Sequence, residues 1–243
     1  MSIQFLQWDS DFFECGVARL CIDNECPIDS IKKELIEYES SNLDVMYLFV
    51  KHNSNELISF LSSIGAVLYD HKVSFRKDSL IRELDDSDNA VTELKHLTQE
   101  AVDVAVSSGV YSRFYLDPRF KPKQPLLYKQ WISNCLEHRN SRVFGIIKDD
   151  VLSAIAGVSV SGEVGHLELI AVAPNCRRLG FAKRLIKTAE KYYLDSHVST
   201  AEAVTQLNNI PACSTYRSCG YVLTETVDVW HLWKADLIAK NLI

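Results

Sequence analysis

The strongest constraint in this chain is the run Leu169-Ile-Ala-Val-Ala-Pro-Asn-Cys-Arg-Arg-Leu-Gly-Phe-Ala182, inside a longer stretch from Gly165 to Tyr221. An apolar strand, starting at Glu163 or Gly165 and ending at Val172, enters a turn rich in backbone donors. An amphipathic helix leaves that turn. Leu179, Ala182, Leu185, Ile186 and Ala189 form its buried side, and Lys183, Lys187 and Lys191 lie on other faces. The first N–H groups of a helix lack intrahelical partners and sit at the positive end of its dipole, so they attract anions. Gly180 adds no side chain and Ala182 only a small one, which lets the backbone approach a ligand. Arg177 and Arg178 add charge at the mouth, so Arg177, Arg178, Leu179, Gly180, Phe181 and Ala182 together are expected to bind a pyrophosphate. Alone, Arg177-x-x-Gly180-x-Ala182 is a weak pattern that any strand-to-helix turn could carry.

Its context is sharper. Ser199 to Gln206 suits a strand, and Asn208-Asn209-Ile-Pro211 suits a helix start, with proline where the first turn tolerates it. Ala212 is small, Tyr216 lies two turns beyond Asn209, and Gly220 ends the helix before Tyr221.

Upstream, two β-α alternations divide the chain. Ile3 to Asp11 suggests a short strand and the aromatic turn Trp8-Asp-Ser-Asp-Phe-Phe13, followed by a strand over 16–22. Asp29 or Ser30 is placed to cap a helix carrying Ile31, Leu35 and Ile36. Val45-Met-Tyr-Leu-Phe-Val50 has the pattern of a buried strand; Asn55 is placed to cap a second helix, Gly65 stops it, and Val67 to Phe75 returns as a strand. These elements predict a small α/β domain over 1–79 and a larger domain over 80–243. In the second domain the pattern predicts a short strand at Ile81–Leu84, then a helix capped by Ser87 or Asp88 with Val91, Leu94, Leu97, Ala101, Val104 and Ala105 on one side. An irregular, aromatic and basic segment follows over 110–120, and a helix resumes near Leu126. Two strands, Arg142–Ile147 and Val151–Val160, turn about Lys148-Asp149-Asp150.

Charge and cysteine content exclude several functions. A net charge of −6 argues against an electrostatic grip on nucleic acid or an anionic membrane. The seven cysteines show no CxxC or zinc spacing and are expected to be reduced thiols. His52 and His71 stand without sequence partners. No secretory leader or bilayer-length apolar run is apparent, so a cytoplasmic location without membrane insertion is expected.

The motifs Arg177-x-x-Gly180-x-Ala182 and Asn209-x-x-Ala212-x-x-x-Tyr216-x-x-x-Gly220-Tyr221 resemble the GNAT acyltransferase superfamily. That resemblance implies a central mixed, mostly antiparallel sheet flanked by helices, with acetyl-CoA as co-substrate. It implies that Ile170, Ala171 and Val172 pair with the pantetheine arm between splayed fourth and fifth strands, and that Asn209 lies at the cofactor site. It also implies Tyr216 as the acid that protonates the departing thiolate, unless that tyrosine is only a packed aromatic. Glu168 is the candidate base, with His166 the alternative for the same job; strict alternation would put Glu168 on the face of Ile170 and Val172, and the competing role for a strand glutamate is to face solvent. No metal is required by such chemistry.

The segments Trp8-Asp-Ser-Asp-Phe-Phe, Tyr111-Ser-Arg-Phe114 and Tyr128-x-x-Trp131-Ile-x-Asn134 further resemble the TDP-fucosamine acetyltransferase family, although Glu14-Cys15-Gly16 departs where glycine is expected directly after the phenylalanines. This likeness implies a nucleotide-linked 4-amino-4,6-dideoxyhexose as acceptor, a part for the small domain in the acceptor cleft, and a possible homodimer. It makes Phe12, Phe13, Ser112, Arg113, Phe114, Tyr128, Trp131 and Asn134 substrate-binding candidates, with core packing the competing role for the aromatics. A peptide N-terminus or small amine as acceptor, or a catalytically silent acyl-CoA-binding module, are the alternatives.

Overall fold

The computed structural model describes residues 2–23, 26–51, 54–81 and 90–238. By its internal contacts the chain forms two units, one of residues 1–72 with 226–243 and one of residues 73–225. The C-terminal residues thus return to the first unit.

The first unit begins with β1 (Gln4–Phe5), α1 (Gln7–Phe13), β2 (Val17–Ile22), α2 (Ile28–Ser40), β3 (Val45–Val50) and α3 (Asn55–Ser63). The strand β4 (Val67–Lys77) starts here and ends in the second unit. β1 pairs antiparallel with β2, and β2 runs parallel to β3. Ile31, Leu35, Leu57 and Leu61 from the two helices bury one face of this sheet against Leu20, Met46 and Leu48.

Three local expectations change here. The aromatic stretch Trp8–Phe13 is helical, because Trp8 and Phe12, one turn apart, stack with ring centroids 5.1 Å apart. Ser54, not Asn55, caps α3 by accepting from the Leu57 N–H, while α2 starts after Pro27 with no side-chain cap from Asp29 or Ser30.

The second unit continues with β5 (Val91–Leu94), α4 (Gln99–Ser107), a four-residue α5 (Arg113–Leu116), α6 (Gln124–Glu137), β6 (Ser141–Lys148), β7 (Val151–Ser161) and β8 (Val164–Val172). It ends with α7 (Phe181–Asp195), β9 (Thr200–Gln206), α8 (Ile210–Ser218) and the start of β10 (Val222–Trp233). The strand order is β4-β9-β8-β7-β6-β5. β8 and β9 run parallel, and the pairs β8·β7, β7·β6 and β6·β5 are antiparallel, so the sheet is mixed and mostly antiparallel as expected. Asp149 and Asp150 both take positive φ, 52° and 62°, the conformation of a two-residue hairpin turn that follows the strand twist.

The predicted long helix over 91–105 is a strand and a shorter helix. Val91–Leu94 pairs with β6, and Thr98 caps α4 through the Ala101 N–H. Val91 and Leu94 fit helical spacing, but sheet pairing overrides so weak a local pattern. β10 lies beyond the last element read from the sequence. The expected strand at 81–84 beyond its first residue, the caps Ser87 and Asp88, and His52 fall outside the described residues.

Helices cover both faces of the second sheet. Leu185, Ile186, Ala189 and Tyr193 of α7, with Cys213 and Tyr216 of α8, pack on Ala154, Ala156, Val158, Leu167, Ala201 and Ala203. On the opposite face Ala101, Ala105, Ile132 and Cys135 of α4 and α6 pack on Val143, Ile155, Leu169 and Ala171.

Candidate active site

Two breaks in regular pairing shape the site. β8 pairs with β9 only from Val164 opposite Thr200 to Leu167 opposite Ala203, although β8 runs on to Val172 and β9 to Gln206. The strands part at that point, and β8 keeps only its β7 partner as far as Val172 opposite Ala154. At the same place β8 gains a residue: Gly157 faces Leu169 and Val158 faces Leu167, which leaves Glu168 as a bulge. Leu167 consequently packs with α7 while Leu169 packs with α4 and α6, although alternation would put both on one face.

The bulge corrects the expected orientation of Glu168. Its exposed carboxylate accepts a 2.5 Å hydrogen bond from Ser159 Oγ. Ser159 lies two positions along β7 from Gly157, whose open side meets Cys135 and Ile132 of α6. Glu168 is thus turned to the α6 face, whereas Ile170 and Val172 pack with the α7 cluster. His166 is half-buried on β8, opposite Ser159 and Glu202.

Past Val172 the chain makes the predicted turn. Arg177 Nε lies 3.5 Å from the Val172 carbonyl oxygen, tying the turn to the end of β8. Arg178 takes φ 65° and Gly180 φ 80°. Gly180 is the N-cap of α7, with no capping side chain and no acid in the first turn. The space where its side chain would start is empty to 4 Å. An uncapped, acid-free helix start beside two exposed arginines suits a phosphate electrostatically. Phe181 is buried and Ala182 half-buried, but Leu179 is 50 % exposed rather than part of the buried stripe; Phe181 and Tyr193 complete it.

Asn209 is the N-cap of α8: its Oδ1 accepts from the Ala212 N–H, and its amide donates to Thr205 Oγ1, each at 3.3 Å. Tyr216, on the same helix, is 3 % exposed and packs against Phe75 and Tyr221 at 5.5 Å and 5.9 Å between ring centroids. Burial, with Cys213 and Cys219 adding to it, pushes its hydroxyl above the ordinary tyrosine value and keeps it protonated.

The acceptor candidates divide between the units. Phe12 and Phe13 belong to the first, where Phe13 is buried and Phe12 stacks on Trp8. The rest surround the segment 109–134 of the second. Ser112 is buried and donates to the Gly109 carbonyl at 2.8 Å. The Arg113 guanidinium lies 4.3 Å from the Phe114 ring centroid, and Trp131 contacts both Phe114 and Tyr128. Asn134 is exposed and bonds Gln130, one turn away on α6.

Some site neighbours escaped the sequence reading. Ser159 reaches Glu168 only through the β7–β8 pairing. Lys77 makes a bidentate ion pair with the nearly buried Glu190, at 2.8 and 2.9 Å, beneath the Tyr221 ring. His71 proves to have a partner, Asp228, at 2.6 Å. The Lys77–Glu190 and His71–Asp228 pairs join residues more than a hundred positions apart, and Ser159 meets Glu168 only once the β7–β8 register is set, so no local signal marks them. The cysteines are free thiols, and among the described residues no helix is long and apolar enough to cross a membrane.

Residues 108–221 match the acetyltransferase (GNAT) family. Over 96 residues the chain is 31 % identical to streptothricin acetyltransferase of Escherichia coli, covering 39 % of this chain and 55 % of that protein. The chain therefore spans about half the length of the curated relative it matches. Among solved structures, a functionally unknown conserved protein from Staphylococcus epidermidis ATCC 12228 is similar over 92 % of this chain and 85 % of its own, with TM-score 0.59 and 9 % identity. An acetyltransferase from the GNAT family of Colwellia psychrerythraea is similar over 96 % and 100 %, with TM-score 0.53 and 12 % identity. At such identities these two likenesses concern the fold.

Proposed function

We propose that this chain, whose residues 108–221 match the acetyltransferase (GNAT) family, moves an acetyl group from acetyl-CoA to the amine of a nucleotide-linked amino sugar. The observation that carries the donor half is the parting of β8 from β9 after Leu167, beside the uncapped Gly180 turn. A strand edge without its neighbour offers backbone groups to an extended, amide-bearing arm such as pantetheine. The helix start with Arg177 and Arg178 offers a seat for its pyrophosphate.

In the transfer, the neutral acceptor amine attacks the thioester carbonyl and forms the new C–N bond. The tetrahedral centre collapses, the C–S bond breaks, and the electron pair leaves on sulfur. One proton must leave the nitrogen and one must reach the sulfur. Glu168 is the proposed proton acceptor, directly or through water, with Ser159 orienting its carboxylate. Tyr216 is the proposed donor to sulfur. Burial raises the phenol, and the same dry surroundings raise the basicity of the departing thiolate, so the transfer joins two groups shifted in one direction.

The nucleotide-sugar reading rests on the outer segments. Aromatic rings suit a sugar or base face, and Arg113 suits a phosphate oxygen. The 31 % likeness to streptothricin acetyltransferase favours a second reading, a small amine without a nucleotide. A competition assay offering acetyl-CoA with dTDP-linked amino sugars, peptides and polyamines decides between them. Acetylation of the sugar is expected; turnover of polyamine or peptide alone would remove the nucleotide-sugar assignment.

A further inference from the structure

The element order β2-α2-β3-α3-β4 recurs as β8-α7-β9-α8-β10. Within it, β2 runs parallel to β3 as β8 does to β9. From β3 onward the recurrence holds residue by residue at an offset of 155 positions. β3 begins at Val45 and β9 at Thr200; α3 covers Asn55–Ser63 and α8 Ile210–Ser218; β4 begins at Val67 and β10 at Val222.

Hydrogen bonds keep the same offset. Ser54 accepts from the Leu57 N–H, and Asn209 from the Ala212 N–H. The Ala66 N–H donates to the Leu61 carbonyl and the Tyr221 N–H to the Tyr216 carbonyl, both at 3.0 Å. Gly65 and Gly220 close the two helices at φ 91° and 85°, a conformation that glycine adopts without strain.

The last strands of the two copies have changed places. β10 lies antiparallel to β3, from Asp228 opposite Val50 to Trp233 opposite Val45. Shifted by the 155-position offset, that register sets Val73 opposite Thr205 and Asp78 opposite Thr200, on β4 and β9. The Arg76–Glu202 ion pair at 2.7 Å and the Thr200–Asp78 hydrogen bond at 3.3 Å both fall on it.

We infer that residues 17–77 are a second copy of the donor-binding half-fold of residues 164–233, that the copies have exchanged their final strands, and that the chain holds one acyl-CoA site instead of two. The first copy is closed. β2 and β3 pair continuously from Val17 opposite Val45 to Ile22 opposite Val50, so no crevice opens between them. The connection into α2, Asp23-Asn-Glu-Cys-Pro27, has no glycine or arginine and two acids, and Asp29 adds a third in the first turn. Those carboxylates repel a pyrophosphate where the second copy attracts one. At the position of Tyr216 stands Leu61, fully buried and without a proton to give.

The count of one site rests on the donor reading above; the duplication does not. Titration calorimetry of the full chain with acetyl-CoA is expected to give one mole bound per mole of chain, and Gly180→Val is expected to abolish it. Two moles, or a stoichiometric site surviving in Gly180→Val, would overturn the count. No binding at all would overturn count and donor reading together, and a separate measurement then decides the duplication. For that, hydrogen exchange is compared between wild type and Val229→Gly, with Val229→Pro as the stronger disruption. Exchange in β3 is expected to quicken tenfold or more while β9 stays protected. Faster exchange in β9 with β3 unchanged would overturn the exchanged-strand duplication.

Discussion

Two regions of this molecule share one plan and differ in what they leave open. In residues 17–77 the parallel strands stay paired to their ends, the sequence after β2 is acidic, and the last helix presents a leucine inward. In residues 164–233 the strands part at a bulge, the turn carries two arginines and a left-handed glycine, and the last helix presents a tyrosine. A strand–helix–strand frame is therefore not a binding site. In both regions the first helix starts without a side-chain cap. The proposed donor site lies where the ladder is also interrupted and the helix start has arginines rather than acids beside it, so its backbone donors and dipole meet an anion without repulsion.

The largest expected contrast is at the inward position of the last helix. Tyr216→Phe should lower kcat by about 100-fold or more, the usual scale of a proton-transfer contribution, with acetyl-CoA affinity kept. Near wild-type turnover at saturating acetyl-CoA would end the acid role. Its counterpart should behave in the opposite sense. Leu61→Ala is expected to cost about 2–5 kcal/mol in denaturant unfolding, through the cavity it leaves, while kcat per folded molecule stays unchanged.

Glu168→Gln tests the bulge, with an expected fall of roughly 10-fold or more in kcat/KM and a changed pH–rate profile. An unchanged profile would remove Glu168 as the base. The buried phenols give a pH effect on both regions. Tyr38 in the first unit and Tyr193, Tyr216 and Tyr221 in the second all have hydroxyls raised chiefly by burial. Unfolded tyrosines ionise near about pH 10, where these stay neutral. The unfolded chain thus gains stability relative to the folded one as pH rises past that value, and thermal midpoints should drop there. An unchanged midpoint between about pH 9 and pH 11 would contradict the assignment of these phenols as buried and neutral.

The smallest contrast lies in the caps. Ser54→Ala and Asn209→Ala should each cost about 1 kcal/mol of stability, equal if the two caps are equivalent. A much larger loss of acetyl-CoA affinity in Asn209→Ala would show that this cap also serves the ligand.

Residue type and spacing made the second copy readable. Gly180 after an apolar strand, and Asn209, Tyr216 and Gly220 along one helix, are local patterns whose conformations follow from propensity and capping. The hairpin at Asp149-Asp150 and the strand at Val45–Val50 were equally legible for that reason. The first copy was legible as elements but not as a copy, since it has lost the residues that mark the motif and kept only lengths, caps and register. Trp8–Phe13 and Val91–Leu94 depart from their local patterns because a stacking contact and a sheet partner outweigh weak local preference.

The linear order of residues, then, contains the arginine-flanked Gly180 turn, the capped helix with its tyrosine and the match of residues 108–221 to the acetyltransferase (GNAT) family. Those are short-range facts, settled within a turn or two of helix. Folding in space added the parting of β8 from β9, the turning of Glu168 toward Ser159, the Lys77–Glu190 pair and the exchange of β4 and β10. Each depends on which strand lies beside which, and strand pairing is a long-range choice made by burial and register that no local stretch encodes.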